Sequence, residues 1–104
     1  MVERVWLARA ANRDHAVAYA SYFRRVVLPE LKAVRGYRGA NVLQRDRDEG
    51  VEIVVVSQWE SLDVIRGFAG DDIDQAVVHD EAARLLSGYD RTVRHFDIVI
   101  DDRA

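Results

Sequence analysis

Apolar residues in this chain alternate in some stretches and recur every three to four positions in others, and the two periods divide it into strands and helices. The clearest stretch runs from Val51 to His79, VEIVVVSQWESLDVIRGFAGDDIDQAVVH. It opens with a strand from Val51 to Trp59 that is apolar on both faces, Ile53 and Val55 pointing one way and Val54 and Val56 the other. An unbroken β-branched row suits a pleated strand, because χ1 is already restricted. Ser61 then offers a hydroxyl to the free N–H groups of a helix start, with Asp63 near the positive end of the dipole. Leu62, Ile65 and Phe68 keep helical spacing to Ala69, and Gly70 ends the run.

The remaining elements fall around this stretch. Val2 to Ala11 alternates as a first strand, with Val5 and Leu7 on the face of Glu3 and Arg9, and Val2, Trp6, Ala8 and Ala10 on the face of Arg4. Asn12-Arg13-Asp14 reads as a turn ending in the N-cap Asp14, followed by an amphipathic helix from His15 to Val34 with Tyr19, Phe23, Val26 and Val27 on its apolar stripe. Pro29 should kink or restart that helix, and Gly36 should close it. Ala40 to Asp46 is a second strand, joined to the third through the charged RDRDEG hairpin. Asp71 to Val78 reads as a short helical piece, and Asp80 as the cap of another with Ala82, Ala83, Leu85 and Leu86 on its buried side. A last strand, Thr92 to Ile100, places Phe96, Ile98 and Ile100 on an apolar face and His95 and Asp97 on the opposite one, turned to a dimer seam or solvent.

The order β-α-β-β-α-β is that of ferredoxin-like α+β folds, with both helices on one face of a four-stranded antiparallel sheet. The third strand carries valine on its uncovered side as well, and leaving that strip in water forgoes ~25 cal/mol per Å². A second copy of the same sheet is the simplest cover, so the pattern predicts a symmetric homodimer.

Composition narrows the function without naming it. The 104 residues suit one domain spanning residues 1–104, and the 49% hydrophobic and 32% charged content is that of a globular protein. The net charge of −3 is spread evenly, with no basic stripe for a phosphate backbone, so no nucleic-acid partner is expected. With no cysteine there is neither a disulfide scaffold nor a thiolate metal site. No apolar run reaches the ~20 residues of a membrane span, and Glu3, Arg4 and Arg9 interrupt any signal-peptide pattern. The default is a cytoplasmic protein without a membrane partner. Metal and nucleotide motifs are absent, and the carboxylates of the RDRDE run alternate with arginines that would repel a cation.

Four motifs carry a family likeness: Gly36-Tyr37-Arg38-Gly39, Ser57-Gln58-Trp59-Glu60-Ser61, Phe68-Ala69-Gly70-Asp71-Asp72 and Val93-Arg94-His95-Phe96. With them the chain resembles the antibiotic biosynthesis monooxygenase-like (ABM) proteins of the dimeric α+β barrel superfamily. That resemblance implies two subunits joined sheet to sheet, each with an apolar pocket between its helices and sheet. Some members oxygenate polycyclic aromatics with O₂ and neither metal nor flavin, so no cofactor is expected. Others degrade haem, held through a histidine after the second long helix, with an asparagine on the first strand and a tryptophan on that helix. By this likeness His79 falls near the histidine position, Trp6 or Leu7 replaces the asparagine, and Phe68 replaces the tryptophan.

Cofactor-free oxygenation requires a base of near-neutral pKa beside a dry, shaped pocket. Histidine suits it, its unperturbed pKa being ~6.5. Of the three histidines, His79 is the candidate catalytic base, His95 is a candidate pocket residue, and His15 belongs to the surface. Tyr19, Tyr22, Phe23, Trp59 and Phe68 are candidates for lining a pocket for a flat aromatic or quinone-type molecule, although such spacing also serves a plain core. The Trp59 indole needs a partner if buried, either a substrate oxygen or a carbonyl. Arg24 and Arg25 belong to a solvated face. The leading reading is a monooxygenase-like homodimer. Its alternatives are a non-catalytic barrel that binds a small molecule or supports a partner enzyme, and haem binding through His79 alone.

Overall fold

The computed structural model describes residues 1–103. Strand β1 (Val2–Ala10) lies at the centre of an antiparallel sheet, with β3 (Gly50–Trp59) on one side and β2 (Tyr37–Arg47) beyond it. On its other side β1 pairs with two short strands in succession, β4 (Gly88–Tyr89) and β5 (Arg94–Asp97). The ferredoxin-like order is therefore kept, but the expected last strand, Thr92 to Ile100, is shortened to β5, and β4, which the sequence reading did not expect, pairs with β1 ahead of it. The gap between β4 and β5 follows from competing bonds. Trp6 Nε1 donates to the Asp90 carbonyl at 2.7 Å, and Val93 N donates outward to Asp74 O at 2.8 Å.

Alternation on β1 is almost perfect. Val2, Arg4, Trp6, Ala8 and Ala10 are buried beneath the helices, whereas Glu3, Val5 and Leu7 are half-buried and Arg9 is exposed. The register pairs Val5 with Val56 and Leu7 with Val54 on the open face, and Trp6 with Val55 and Arg4 with Ser57 on the covered one. The β2–β3 hairpin turns at Gly50, whose φ is +108°, and a Cβ there would run into the Ala10 carbonyl oxygen.

The helical layer departs from expectation in instructive ways. Helix α1 (Arg13–Tyr22) starts earlier than expected, because the Asn12 side chain, not that of Asp14, accepts from His15 N at 2.8 Å. At Pro29 the helix restarts. It widens one turn earlier into a π-turn, Phe23–Val27, in which Leu28 N reaches back to Phe23 O, and α2 (Leu28–Lys32) follows with Pro29 in its first turn. Proline has no N–H and its ring crowds the carbonyl four residues back, so widening the preceding turn relieves both problems.

The second helix is a 3₁₀ turn (Asp63–Ile65) running into the single turn α3 (Arg66–Ala69), with no side-chain cap from Ser61. Asp71 to Val78 is not helical. Its main chain pairs instead with the residues between β4 and β5, through a Gln75–Thr92 bridge and an Ala76 N to Arg91 O bond of 2.9 Å. Helix α4 (Asp80–Leu85) follows with His79 at its N-cap position, and Ala82 is its buried residue.

The last strand inverts the expected faces. Phe96 sits opposite Glu3 on the open face and is 51% exposed, while His95 sits opposite Arg4 on the covered one. Ile100 lies beyond the sheet and is exposed. Register explains this, because β5 pairs with β1 and inherits the sides that β1 has already assigned.

Candidate functional site

Between the covered face and the helices lies a partly open cavity, with about 50 Å³ free to the centre of a water molecule. β1 contributes Arg4 and Trp6, and β3 contributes Val55 and Ser57. From the helical side come Tyr19, Tyr22, Phe23, Val27 and Leu31. The π-turn matters here, since it carries Phe23 and Val27 onto the same wall as Tyr22. Phe68, Val77, Ala82 and Val93 complete the lining.

Its walls are aromatic. Tyr19 packs against Trp6, Tyr22 and Phe23 with ring centroids 6.3, 5.9 and 6.3 Å away. Its polar groups are few and alike. The Tyr22 hydroxyl is buried without a hydrogen-bond partner among the described residues. Desolvation foremost, then the Glu30 and Glu81 carboxylates, raises its pKa against the weaker opposing pull of Arg25, so it stays a donor. Ser57 Oγ accepts from Trp59 Nε1 at 2.8 Å and keeps its own proton to give.

Arg4 is the charged member, only 4% exposed. Its Nη1 donates to Ile73 O at 2.5 Å and lies 3.0 Å from His95 Nε2, and its Nη2 donates to Gln75 O at 2.8 Å. Since an arginine only donates, His95 Nε2 must accept, which leaves the ring proton on Nδ1, 3.5 Å from Asp74 Oδ1. Burial, and next the Arg4 charge, lower the His95 pKa against the opposing effect of Asp74, and burial brings Arg4 itself down to about 10. At neutral pH the site therefore holds a cationic guanidinium beside a neutral imidazole.

The structure brings some of the expected residues together and separates others. Tyr22, Phe23 and Phe68 line the cavity. Trp59 is fully buried and outside the lining, packed edge-on to Tyr37 and tilted against Phe68, and its N–H is satisfied by Ser57 rather than by a ligand or carbonyl. His95 stands behind Arg4 and is not a lining residue. His79 is outside the cavity lining: its side chain is 43% exposed and its Nε2 lies 2.9 Å from Glu30 Oε1, because an N-cap position at the start of α4 turns it to the surface. Of Trp6 and Leu7, it is Trp6 that faces inward. Sequence reasoning passed over Arg4 and Ser57, although a lone arginine among Val2, Trp6, Ala8 and Ala10 was the available signal.

The fold and site define a class: a ferredoxin-like α+β domain with an aromatic cavity cupped between helices and sheet. The chain belongs to the antibiotic biosynthesis monooxygenase family, whose model matches residues 5–79. Among solved structures it is similar to a point mutant of MhuD with two manganese protoporphyrin IX molecules bound per active site. That likeness has a TM-score of 0.67 at 16% identity and covers 100% of both chains. It is also similar to a monooxygenase from the gene ActVA-Orf6 of Streptomyces coelicolor, in complex with the ligand nanaomycin D. Here the TM-score is 0.56 at 16% identity, over 99% of this chain and 89% of that one. No curated protein matches.

Haem does not fit the residues present. The lining holds no histidine or methionine, and burial keeps the Tyr19 and Tyr22 hydroxyls protonated, so no side chain there is ready to ligate an iron. No described helix is long and apolar enough to cross a membrane.

Proposed function

We propose that this protein is a monooxygenase-like homodimer acting on a small flat aromatic or quinone-type molecule, without metal or flavin. The observation that carries this reading is the Tyr22 hydroxyl, buried without a partner among the described residues on a side chain that lines the aromatic cavity. An orphaned buried donor costs ~1–3 kcal/mol, and a substrate oxygen would recover it. In the reaction, a ring CH₂ beside a carbonyl or phenol loses a proton to solvent. Ser57 donates to the oxygen on which the charge collects, while Tyr22 holds a second oxygen of the substrate. The carbanion passes one electron to O₂, the radical pair closes to a hydroperoxide, and water leaves, so that CH₂ and O₂ become C=O and H₂O. Admitting a ring requires the lining to give, and Val77, from a segment without helix or strand, is placed to do so.

The open face of the sheet is the proposed seam with the second copy. Val5, Leu7, Val54 and Val56 form its centre, flanked by Leu43 and Phe96, each 51% exposed. The small free volume favours one second reading, a barrel that binds its ligand without turning it over.

Oxygen uptake by chelator-treated protein, measured with anthrones and hydroquinones, tests the leading reading. One O₂ per substrate is expected, with the rate falling ~10²-fold in Tyr22→Phe. Uptake no faster than the buffer blank across the panel, with binding retained, would leave only the second reading.

A further inference from the structure

The Arg4 guanidinium lacks the one partner a buried cation ordinarily has. Its three hydrogen bonds go to two carbonyls and a neutral imidazole, and no carboxylate lies within ion-pair distance among the described residues. Asp74 acts on it only from farther off, with its own side chain 73% exposed. Those bonds occupy three of the five N–H donors of an arginine, leaving Nε and one hydrogen of Nη2 without a protein acceptor. The Phe68 ring, 5.9 Å from the guanidinium carbon, adds a cation–π contact, but a buried charge without a close carboxylate remains costly, and an anion that docks against it recovers much of that cost.

Everything else polar on the cavity wall is compatible with that. Tyr22 and Ser57 present hydroxyl protons, and the Trp6 N–H is spent on Asp90 O. No carboxylate belongs to the lining. Hydroxyls can donate or accept, so it is the Arg4 cation, with no side-chain carboxylate in the lining, that tips the cavity toward an acceptor-rich group. Free space of about 50 Å³ suits the head group of such a ligand, with its ring lying toward the mouth.

We infer that the ligand of this cavity is an aromatic acid, whose carboxylate docks against Arg4 with Tyr22 donating to it. This rests on the reading of the cavity as a ligand site and adds that Arg4 is its specificity-determining residue. The alternative role for Arg4 is to tie the 71–78 segment to β1 through Ile73 and Gln75.

The two roles separate in a comparison of isosteres. Calorimetric titration of the full chain with 4-hydroxybenzoate and with neutral 4-hydroxybenzamide should show the acid bound at least ~10-fold more tightly, the size of one charge-assisted hydrogen-bonded pair. Arg4→Gln should bring the ratio to about one while the amide keeps its affinity, and Arg4→Lys should restore part of the preference. Tyr22→Phe, which leaves the 71–78 segment tied, should lower the ratio on its own and serves if the Arg4 variants do not fold. Equal binding of acid and amide by the native protein would overturn the anion assignment and leave the ligand site standing. Binding of neither would overturn both.

Discussion

The two faces of this sheet are made from alternate residues of the same strands, yet they are finished differently. On the covered face, Val2, Trp6, Ala8, Ala10, Val51, Ile53 and Trp59 are packed under the helices, and the misfits are polar: Arg4 without an anion and Tyr22 without an acceptor. On the open face every group is ordinary, and what is missing is cover for Val5, Leu7, Val54, Val56, Leu43 and Phe96. One face lacks a small polar partner and the other lacks a large apolar one. A monomer cannot supply either, so each deficit points to a different guest, a small molecule inside and a second copy outside.

The largest effect should come from emptying the covered face. Trp59→Ala removes a fully buried ring packed against Tyr37 and Phe68 and should cost ~3–5 kcal/mol in urea unfolding. A loss below ~1 kcal/mol would mean that this layer is not the structural core. Next comes Leu7→Asp, which puts a charge into the centre of the open face but touches nothing beneath the helices. Sedimentation should then report a single 11.9 kDa chain with its circular dichroism unchanged, whereas the native protein should sediment at twice that mass. A native protein that is already monomeric at micromolar concentration would remove the distinction between the faces.

How much of this was legible in the sequence differs by region for physical reasons. The alternation on β1, and on β3 for Ile53 to Val56, grouped those residues correctly by face, because a period of two leaves no other grouping, but it did not say which face the helices cover. It marked Arg4 as the exception on an apolar side. The last strand misled because Phe96 looks like a core residue. Its side is fixed by pairing with Glu3, which is a long-range fact. The 71–78 segment resembled a helix in composition, but the Asp72 side chain accepts from Asp74 N at 3.3 Å and starts a turn, and the main chain then pairs with residues 91–93. Of the aromatic lining, Tyr19, Tyr22, Phe23 and Phe68 were foreseeable, whereas Trp59 lies outside it and Trp6 was not expected in it. The π-turn that gathers it was not foreseeable, because proline crowding can be relieved by a kink, a restart or a widened turn, and neighbouring packing chooses among them.

Smaller effects sharpen the comparison. Tyr22→Phe deletes a hydroxyl that contributes no hydrogen bond to the folded chain, so stability should hold or rise by up to ~1 kcal/mol in the absence of ligand. A loss above ~1.5 kcal/mol would reveal a partner for that hydroxyl. The slightest expected effect is in pH dependence. His95 has a folded-state pKa below its ordinary 6.5, chiefly through burial and then through Arg4. The unfolded chain therefore takes up the proton first. The contribution of His95 to stability is complete above pH 6.5 and is lost as pH falls below it toward the folded-state value. Urea midpoints measured from pH 7.5 downward should decline, and His95→Gln should flatten that part of the slope. An unchanged slope in the variant would assign the decline to other groups.

The division of labour between the faces is tested most directly by side-chain NMR of the native protein during titration with 4-hydroxybenzoate. The account predicts that the Arg4 Nε–H, the Trp6 Nε1–H and the Val55 methyls shift, while the methyls of Leu7, Val54 and Val56 stay in place. Movement of the open-face methyls with a still Arg4 and Trp6 would contradict it.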